Sequence, residues 1–288
     1  MKKKTLKIIG LISVVIILLF IALPTLLNNA GLHPVFEGSK NYDFKNTKAV
    51  IISTSHSILS KPGETDGKLT GVFASELTVP YYEFINSGIE VDIASINGGE
   101  IPIDPESFFY AIKTKEDDKY LNDEILLKKV KNSILIDDLD INQYDLVFIA
   151  GGWGAAYDLG YSEILGKKIS QAYYNKKTVI GAVCHGVLGF IKAKDSLGNL
   201  IIENKRMTGV TNKQIKELGI DFTPLHPEDE LIKAGVIFES KTAFRDVFAN
   251  LTVLDEETKF VTGQNQNAGH ETPQKMMEIL NNNNNNNR

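Results

Sequence analysis

A cysteine and a histidine stand side by side in this sequence, in a setting suited to nucleophilic chemistry. Cys184, the single cysteine among 288 residues, follows the apolar run TVIGAV and precedes His185, with glycines at positions 181 and 186. A strand that turns sharply into a helix projects such a side chain from the edge of a sheet, and the helix amides lower the thiol pKa. The alternative is a buried, inert cysteine. We predict that Cys184 is a nucleophile and that His185 assists it by hydrogen bonding or charge.

A second turn could contribute backbone N–H groups to the same chemistry. The segment AGGWGAAYDLG ends an apolar strand and contains Gly152 and Trp153. The amides of such a turn, together with the amide after Cys184, are suited to form an oxyanion hole. The alternatives are a plain turn and a tryptophan that only packs. We expect Trp153 to form a wall of the pocket.

Glu76 is a carboxylate in an otherwise apolar helical stretch, VFASELTVPYY. A carboxylate that is buried without a partner costs free energy, so the choice lies between an exposed residue and a functional one. Pro80 cannot donate a hydrogen bond to the carbonyl of Glu76, which predicts a kink in this helix. Taken alone, the residue fits an exposed position.

The elements that must position these residues alternate between strand and helix. Near-continuous apolar strands alternating with helices predict a single α/β domain whose mostly parallel sheet is doubly wound, with helices on both faces. In such a sheet, functional residues gather at the carboxyl ends of the strands. The predicted strands cover residues 49–55, 89–96, 144–152, 178–183 and 259–263, and the predicted helices cover 71–88, 162–175, 227–235 and 271–280.

The two ends of the chain differ from the domain between them. Residues 8–27 carry no charge and follow four lysines, and about 20 apolar residues are needed to span a bilayer as a helix. The alternative is a cleavable signal peptide, whose apolar core usually has about 7–15 residues. We predict a single-pass anchor within residues 1–30, and the positive-inside rule places the domain, residues 31–280, on the non-cytoplasmic side. The asparagine-rich tail, residues 281–288, is expected to be disordered.

Composition excludes some classes of protein. The formal net charge is −5 and no long basic run exists outside the first residues, so a nucleic-acid partner is not expected. One cysteine cannot form an internal disulfide. The spacing of histidines and the cysteine suggests no metal site, and we expect no metal and no cofactor.

Four motifs in order resemble the ThiJ/PfpI superfamily, and most closely its branch of glyoxalase III and heat-shock chaperones. They are TGVFASELTVPYYEFINSGIEVDIASINGGEIPIDPES, GGWGAAYDL, AVCHG and VTGQNQNA, and the resemblance covers about Lys48 to Leu280. It implies a class I glutamine amidotransferase-like, flavodoxin-like fold. By matching position, Cys184 would be the nucleophile, with His185 beside it. Glu76 would hydrogen-bond the sulfur and move protons, and Gly152 would supply an oxyanion amide.

The resemblance also implies an activity, the conversion of methylglyoxal, a 2-oxoaldehyde, to lactate without a cofactor. The thiolate would add to the aldehyde to give a hemithioacetal, and a general base would then move a proton between the two carbons. A second reading is a hydrolase of peptides or of glycated side chains, and a third is a catalytically weak holdase chaperone or redox sensor. The expected partners are a small carbonyl compound and, through the N-terminal helix, a membrane; pairing into a homodimer is left open.

Two positions depart from the pattern of this branch. Trp153 stands where a histidine usually follows the double glycine, and Gln214 or Ile215 stands where an acid should orient His185. Glu217 is near but displaced by two or three residues, so it should point elsewhere on its helix. The sequence HPE at His226–Glu228 matches the motif of the catalytic dyad in glutamine amidotransferases. Its proline and the acidic residues that follow predict instead the start of a helix.

Overall fold

The computed structural model describes residues 2–286, in which strands and helices alternate along most of the chain. The strands are β1 (Lys48–Ser53), β2 (Ile58–Leu59), β3 (Lys68–Leu69), β4 (Glu90–Ser95), β5 (Ile134–Leu135), β6 (Leu146–Ile149), β7 (Val179–Val183), β8 (Arg206–Met207), β9 (Ile237–Phe238), β10 (Thr252–Leu254) and β11 (Phe260–Gly263). The helices are α1 (Lys2–Asn29), α2 (Ala74–Asn86), α3 (Lys115–Tyr120), α4 (Glu124–Lys131), α5 (Ala155–Asp158), α6 (Glu163–Tyr174), α7 (Asn212–Leu218), α8 (Pro227–Lys233) and α9 (Glu271–Asn286).

Seven strands form the central sheet, in the order β10-β11-β7-β6-β1-β4-β5. All neighbouring pairs are parallel except β10 and β11, which pair antiparallel at one edge. The central strands are apolar throughout because side chains on both faces are buried, as in other covered parallel sheets. The structure therefore confirms the predicted α/β fold with a mostly parallel sheet.

Two hydrophobic clusters lie on opposite faces of this sheet. On one face, Ile51 of β1 belongs to a cluster with Phe84 of α2 and Met276 of α9. On the other face, Ile52 belongs to a cluster with Ile169 of α6. Successive residues of a strand point to opposite faces, so β1 contributes to both cores. The helices on both faces agree with the doubly wound arrangement.

The parallel arrangement brings several turns to one edge of the sheet. β6 ends at Ile149, β7 at Val183 and β11 at Gly263, and each is followed by residues that the sequence analysis singled out. Because these strands are adjacent and point the same way, the turns after them are neighbours in space. This edge holds the candidate site.

Several elements differ from the sequence prediction. The predicted strand 144–152 is shorter, because Gly151 and Gly152 belong to the turn. The short polar helix α3 and the helix α4, half of whose residues are charged, were not predicted; each begins at a side-chain cap, Thr114 and Asp123 respectively. α9 continues through Asn286, so residues 281–286 are helical where disorder was expected; a formed helix gains one hydrogen bond for each added residue. Residues 287 and 288 of the predicted disordered tail lie outside the described residues.

The N-terminal helix α1 is the one described helix that is long and apolar enough to cross a membrane. Its residues Lys7–Asn29 have a mean hydropathy of 2.9, and none of the most apolar window is buried against the domain. A signal sequence near the N-terminus passes the same test of length and composition.

Candidate active site

Cys184 lies on a sharp turn directly after β7. Its φ is +57°, in the left-handed region that residues with a side chain adopt rarely and often at functional sites. Gly186 makes the turn possible, because a Cβ at this position would lie 2.3 Å from the carbonyl oxygen of Ile149. The turn leads into a 3₁₀ helix, Cys184–Phe190, rather than the predicted α-helix. The predicted elbow is therefore present, with a shorter and tighter continuation.

Glu76 reaches the cysteine from the first turn of α2. It is 1% exposed, and its Oε2 accepts a hydrogen bond from the amide of Gly151 at 3.0 Å. Its carboxyl group also hydrogen-bonds the thiol of Cys184. A Cβ on Gly151 would lie 2.6 Å from Oε2, so the glycine is what allows this approach. An exposed position for Glu76 is thereby ruled out.

Burial decides the protonation state of Glu76. Desolvation raises its pKa to about 8, against the opposing effect of hydrogen bonds from Cys184 and from the amides of Gly151 and Gly152. At neutral pH most of this carboxyl group is therefore protonated. A carboxyl with a pKa close to the working pH can both accept and return a proton.

The pKa of the Cys184 thiol differs from the sequence prediction. Burial, followed by the neighbouring carboxyl of Glu76, raises its pKa, although the amides of His185 and Gly152 donate hydrogen bonds to the sulfur. The expected lowering by a helix N-terminus was wrong, because a short 3₁₀ helix follows the cysteine and its side chain is 7% exposed. These two amides are nevertheless the pair expected to stabilise an oxyanion.

His185 is adjacent to the sulfur but remains uncharged. Its Nδ1 lies 3.4 Å from Sγ of Cys184, and its ring centroid is 4.9 Å from that of Trp153. Burial lowers its pKa to about 3, and the nearby His226 adds to this effect. The other ring nitrogen, Nε2, is buried and has no hydrogen-bond partner among the described residues. A neutral imidazole can orient or exchange a proton with the thiol, but it supplies no positive charge.

The acid that would orient His185 is missing, as the sequence indicated. Gln214 lines the cavity, and its Oε1 accepts a hydrogen bond from Asn265 at 2.9 Å. Ile215 is fully buried in the hydrophobic core. Glu217 turns away and accepts a hydrogen bond from the amide of Asp246 at 2.8 Å. None of these three side chains is bonded to the imidazole.

The HPE segment begins a helix, as predicted. His226 precedes α8, and Pro227 occupies its first turn. The carboxylate of Glu228 accepts a hydrogen bond from the amide of Asn212 at 2.7 Å. This carboxylate is therefore used to join α8 to the N-terminus of α7.

The candidate site residues line a cavity of about 210 Å³; they are Glu76, Gly152, Trp153, Cys184, His185 and Gln214. Its walls are mostly apolar, and its charged side chains are acidic, with no lysine or arginine among the described lining residues. Sequence reasoning missed much of the wall: four of these residues lie inside the quoted motifs but were given no role, and the others come from separate segments that carry no motif. The missed lining residues are Leu32, Phe73, Asp104, Glu106, Ile112, Val210, Leu218, Ile220, Val247 and Gln266.

Two further observations define the limits of this site. A larger cavity of about 790 Å³ lies elsewhere, beside Tyr120 and Lys128, and contains neither Cys184 nor Glu76. Within residues 2–286, no group of three or more His, Cys, Asp or Glu side chains is placed to hold a metal ion. The smaller cavity is therefore the one where the candidate chemistry lies.

We expect Cys184 to be alkylated slowly at neutral pH, because its thiol pKa is raised. The rate with iodoacetamide, followed by mass spectrometry from pH 6 to 10, should still be rising above pH 8.5, where a free cysteine is already half ionised. Since the chain has one cysteine, every modified thiol reports this site. A rate that reaches its plateau below pH 7 would contradict the raised pKa.

Comparison with known sequences finds one family match and several relatives. Residues 69–268 match the DJ-1/PfpI family. Glyoxalase 3 of Candida albicans is 30% identical over 224 residues, which are 74% of this chain and 91% of that protein. A glutathione-independent glyoxalase of Schizosaccharomyces pombe is 27% identical over 248 residues, which are 82% of this chain and 98% of that protein.

Comparison with solved structures gives the same grouping. The Rapid Encystment Protein 24 KDa of Francisella tularensis superposes with a TM-score of 0.73 at 35% identity, covering 81% of this chain and 99% of that one. The crystal structure of glyoxalase III from Candida albicans gives a TM-score of 0.72 at 27% identity, covering 81% of this chain and 97% of that one. Both likenesses extend over nearly the whole of the matched chains.

Proposed function

Because the chain belongs to the DJ-1/PfpI family, we propose that it is a glutathione-independent glyoxalase that converts methylglyoxal to lactate. The observation that carries the proposal is the placement of one thiol, Cys184, against a buried carboxyl, Glu76, in a small cavity. The relatives named glyoxalase 3 and glutathione-independent glyoxalase support the same activity.

The first step is addition of the thiol to the aldehyde. The sulfur of Cys184 bonds to the aldehyde carbon, and the thiol proton ends on the former carbonyl oxygen, which gives a hemithioacetal. While negative charge develops on that oxygen, the amides of His185 and Gly152, which already point at the sulfur, can stabilise it.

The second step is an internal proton transfer. Glu76, in its carboxylate form, removes the proton from the carbon that carries the sulfur, which gives an enediol-type intermediate, and returns it to the neighbouring carbon, the former ketone. The hydroxyl proton of the hemithioacetal passes to the former ketone oxygen, so that the carbon bonded to sulfur becomes the carbonyl carbon. The product is a lactyl thioester, an isomer of the hemithioacetal. Water then hydrolyses the thioester, which releases lactate and restores the thiol. No electron is gained or lost from outside, so the reaction needs no cofactor.

The charge of the cavity favours an uncharged substrate. Asp104 and Glu106 lie in its lining, and no lysine or arginine is among the described lining residues. An anionic carbonyl compound would be repelled by these carboxylates, whereas methylglyoxal is neutral.

The direct test measures lactate formed from methylglyoxal by the full-length chain in detergent, without glutathione. We expect lactate to accumulate in proportion to enzyme, and a heat-treated sample to form none above the uncatalysed rate. The absence of lactate from a folded sample would reject the proposed reaction.

A second candidate function, a catalytically weak chaperone or sensor, is favoured by one observation. Nε2 of His185 is buried and finds no hydrogen-bond partner within the described part of the chain, where an orienting acid would normally bind. Such an imidazole has no group that fixes which nitrogen carries the proton. This arrangement supports a low rate of turnover.

We therefore expect Gln214→Glu to raise turnover by about tenfold, because a carboxylate in the same cavity can orient His185. The change keeps the oxygen that accepts a hydrogen bond from Asn265. Initial rates with methylglyoxal at several pH values would measure the gain, and Gln171→Glu, which changes an exposed glutamine on α6, serves as the control. An unchanged or lower rate would show that the imidazole needs no acid.

We also propose that α1 anchors the protein in a membrane with the domain on the non-cytoplasmic side. The uncharged run 8–27 and its preceding lysines support this. The full-length chain is expected to sediment with membranes and to remain there after alkaline carbonate extraction. Protease added to sealed cells or vesicles, in each orientation, would report the side. A chain recovered in the carbonate supernatant would rule out the anchor.

A further inference from the structure

The short segment after α1 forms one wall of the active-site cavity. Leu32 is 4% exposed and lines the same cavity as Cys184. We infer that Leu32 is a specificity-determining residue, which limits the size of the group that can enter beside the cysteine. The part of this inference that concerns the substrate rests on the proposed glyoxalase function. The position of Leu32 in the cavity wall does not depend on that function. Residues 30–33 are called the strap below.

Two hydrogen bonds of His33 hold the strap across the cavity. Its amide donates to Oδ1 of Asn267 at 2.8 Å, and its Nε2 donates to the carbonyl oxygen of Ile112 at 2.8 Å. Asn267 follows β11, whereas Ile112 lies in the loop before α3 and itself lines the cavity. The strap therefore joins two sides of the cavity and places Leu32 between them.

Gly31 fits the strap closely against the domain. Its φ is +111°, and a Cβ at this position would lie 2.8 Å from the carbonyl oxygen of Phe248. A residue with a side chain would be strained by this conformation and would also meet the backbone. The path of the strap consequently depends on this glycine.

The strap lies outside residues 69–268, the part of the chain that matches the family. The wall that Leu32 contributes to the cavity therefore comes from a segment beyond the matched region.

The inference predicts how the accessibility of Cys184 changes with the strap. Shortening the side chain in Leu32→Ala should open the cavity, and Gly31→Ala should displace the strap with Leu32 still present. Because the chain has one cysteine, alkylation measures access without any turnover. The probes are iodoacetamide, which is small, and a bulky fluorophore-linked maleimide, each used on the full-length protein in detergent.

In Leu32→Ala we expect alkylation by the bulky maleimide to accelerate about tenfold, and alkylation by iodoacetamide to change much less, since the lost side chain is a buried leucine. Gly31→Ala should show the same size dependence. Val35→Ala, a change of an 86% exposed residue just beyond the strap, is the matched control and should react like wild type. Circular dichroism and the melting temperature of each variant verify that the domain is folded.

The second readout is substrate preference. In Leu32→Ala the ratio of kcat/KM for phenylglyoxal to kcat/KM for methylglyoxal should increase, because the enlarged cavity accepts the phenyl ring. A folded Leu32→Ala protein that is alkylated at wild-type rates, or equally faster by both reagents, overturns the inference. If wild type turns over neither aldehyde, the proposed function fails, and the alkylation rates still decide the role of Leu32.

Discussion

Glu76→Gln is expected to abolish most turnover and at the same time to make the folded protein more stable at pH 7. The loss of activity should be roughly 10²–10⁴-fold, the usual effect of removing a general base. Glutamine has nearly the same shape and keeps an oxygen that can accept the hydrogen bond from the amide of Gly151. The variant should therefore fold normally and fail in the proton transfer.

The gain in stability follows from the raised pKa of Glu76. The folded protein binds this proton with a pKa of about 8, whereas the unfolded chain binds it with the ordinary value of 4.5. At pH 7 folding must protonate a carboxylate, which costs about 3 kcal/mol that glutamine avoids. Because the folded pKa is the higher one, the contribution of Glu76 to stability is fully present below pH 4.5 and is lost as the pH rises towards 8.

Chemical denaturation at several pH values, together with the lactate assay, measures both effects. The difference in free energy of unfolding between Glu76→Gln and wild type should vanish below about pH 4.5 and stop growing above about pH 8. Glu90→Gln, which changes an exposed glutamate at the start of β4, is the control and should leave activity and stability nearly unchanged. A variant that stays fully active would remove Glu76 from the mechanism.

Cys184→Ser is expected to lower the rate of lactate formation by at least about 10³-fold, because the hydroxyl is a far weaker nucleophile and forms no lactyl thioester. The serine keeps the polar contact to Glu76, so the fold and the cavity should persist. Initial rates and a melting curve measure the two properties. Cys184→Ala should be equally inactive, and an alanine variant within about tenfold of wild type would disprove covalent catalysis by Cys184.

The parts of the site that the sequence predicts are those encoded by local pattern. The run TVIGAVCHG places Cys184 at the end of a buried strand, and its glycines indicate the sharp turn. Glu76 stands out because its neighbours on α2 are apolar. The same local features predict the parallel sheet, since each central strand is an apolar run between helices.

The parts that could not be predicted depend on packing between distant segments. The raised thiol pKa results from burial, which the sequence around Cys184 does not reveal. Leu32 and Val247 carry no motif and become lining residues only when their loops meet. The short helix α3 consists of charged residues apart from its last tyrosine, so it has no apolar face for periodicity to detect.

The bond between His33 and Asn267 bears on how this protein is made. The two residues are 234 positions apart, so every residue between them must be synthesised before this bond can form. A contact between residues so far apart in sequence forms slowly, because a long loop must close. The thiol of Cys184 is therefore synthesised before the segment that completes the site around it. We expect binding and turnover of small carbonyl compounds to appear only after the segment that carries Asn267 has folded and the strap has docked on it.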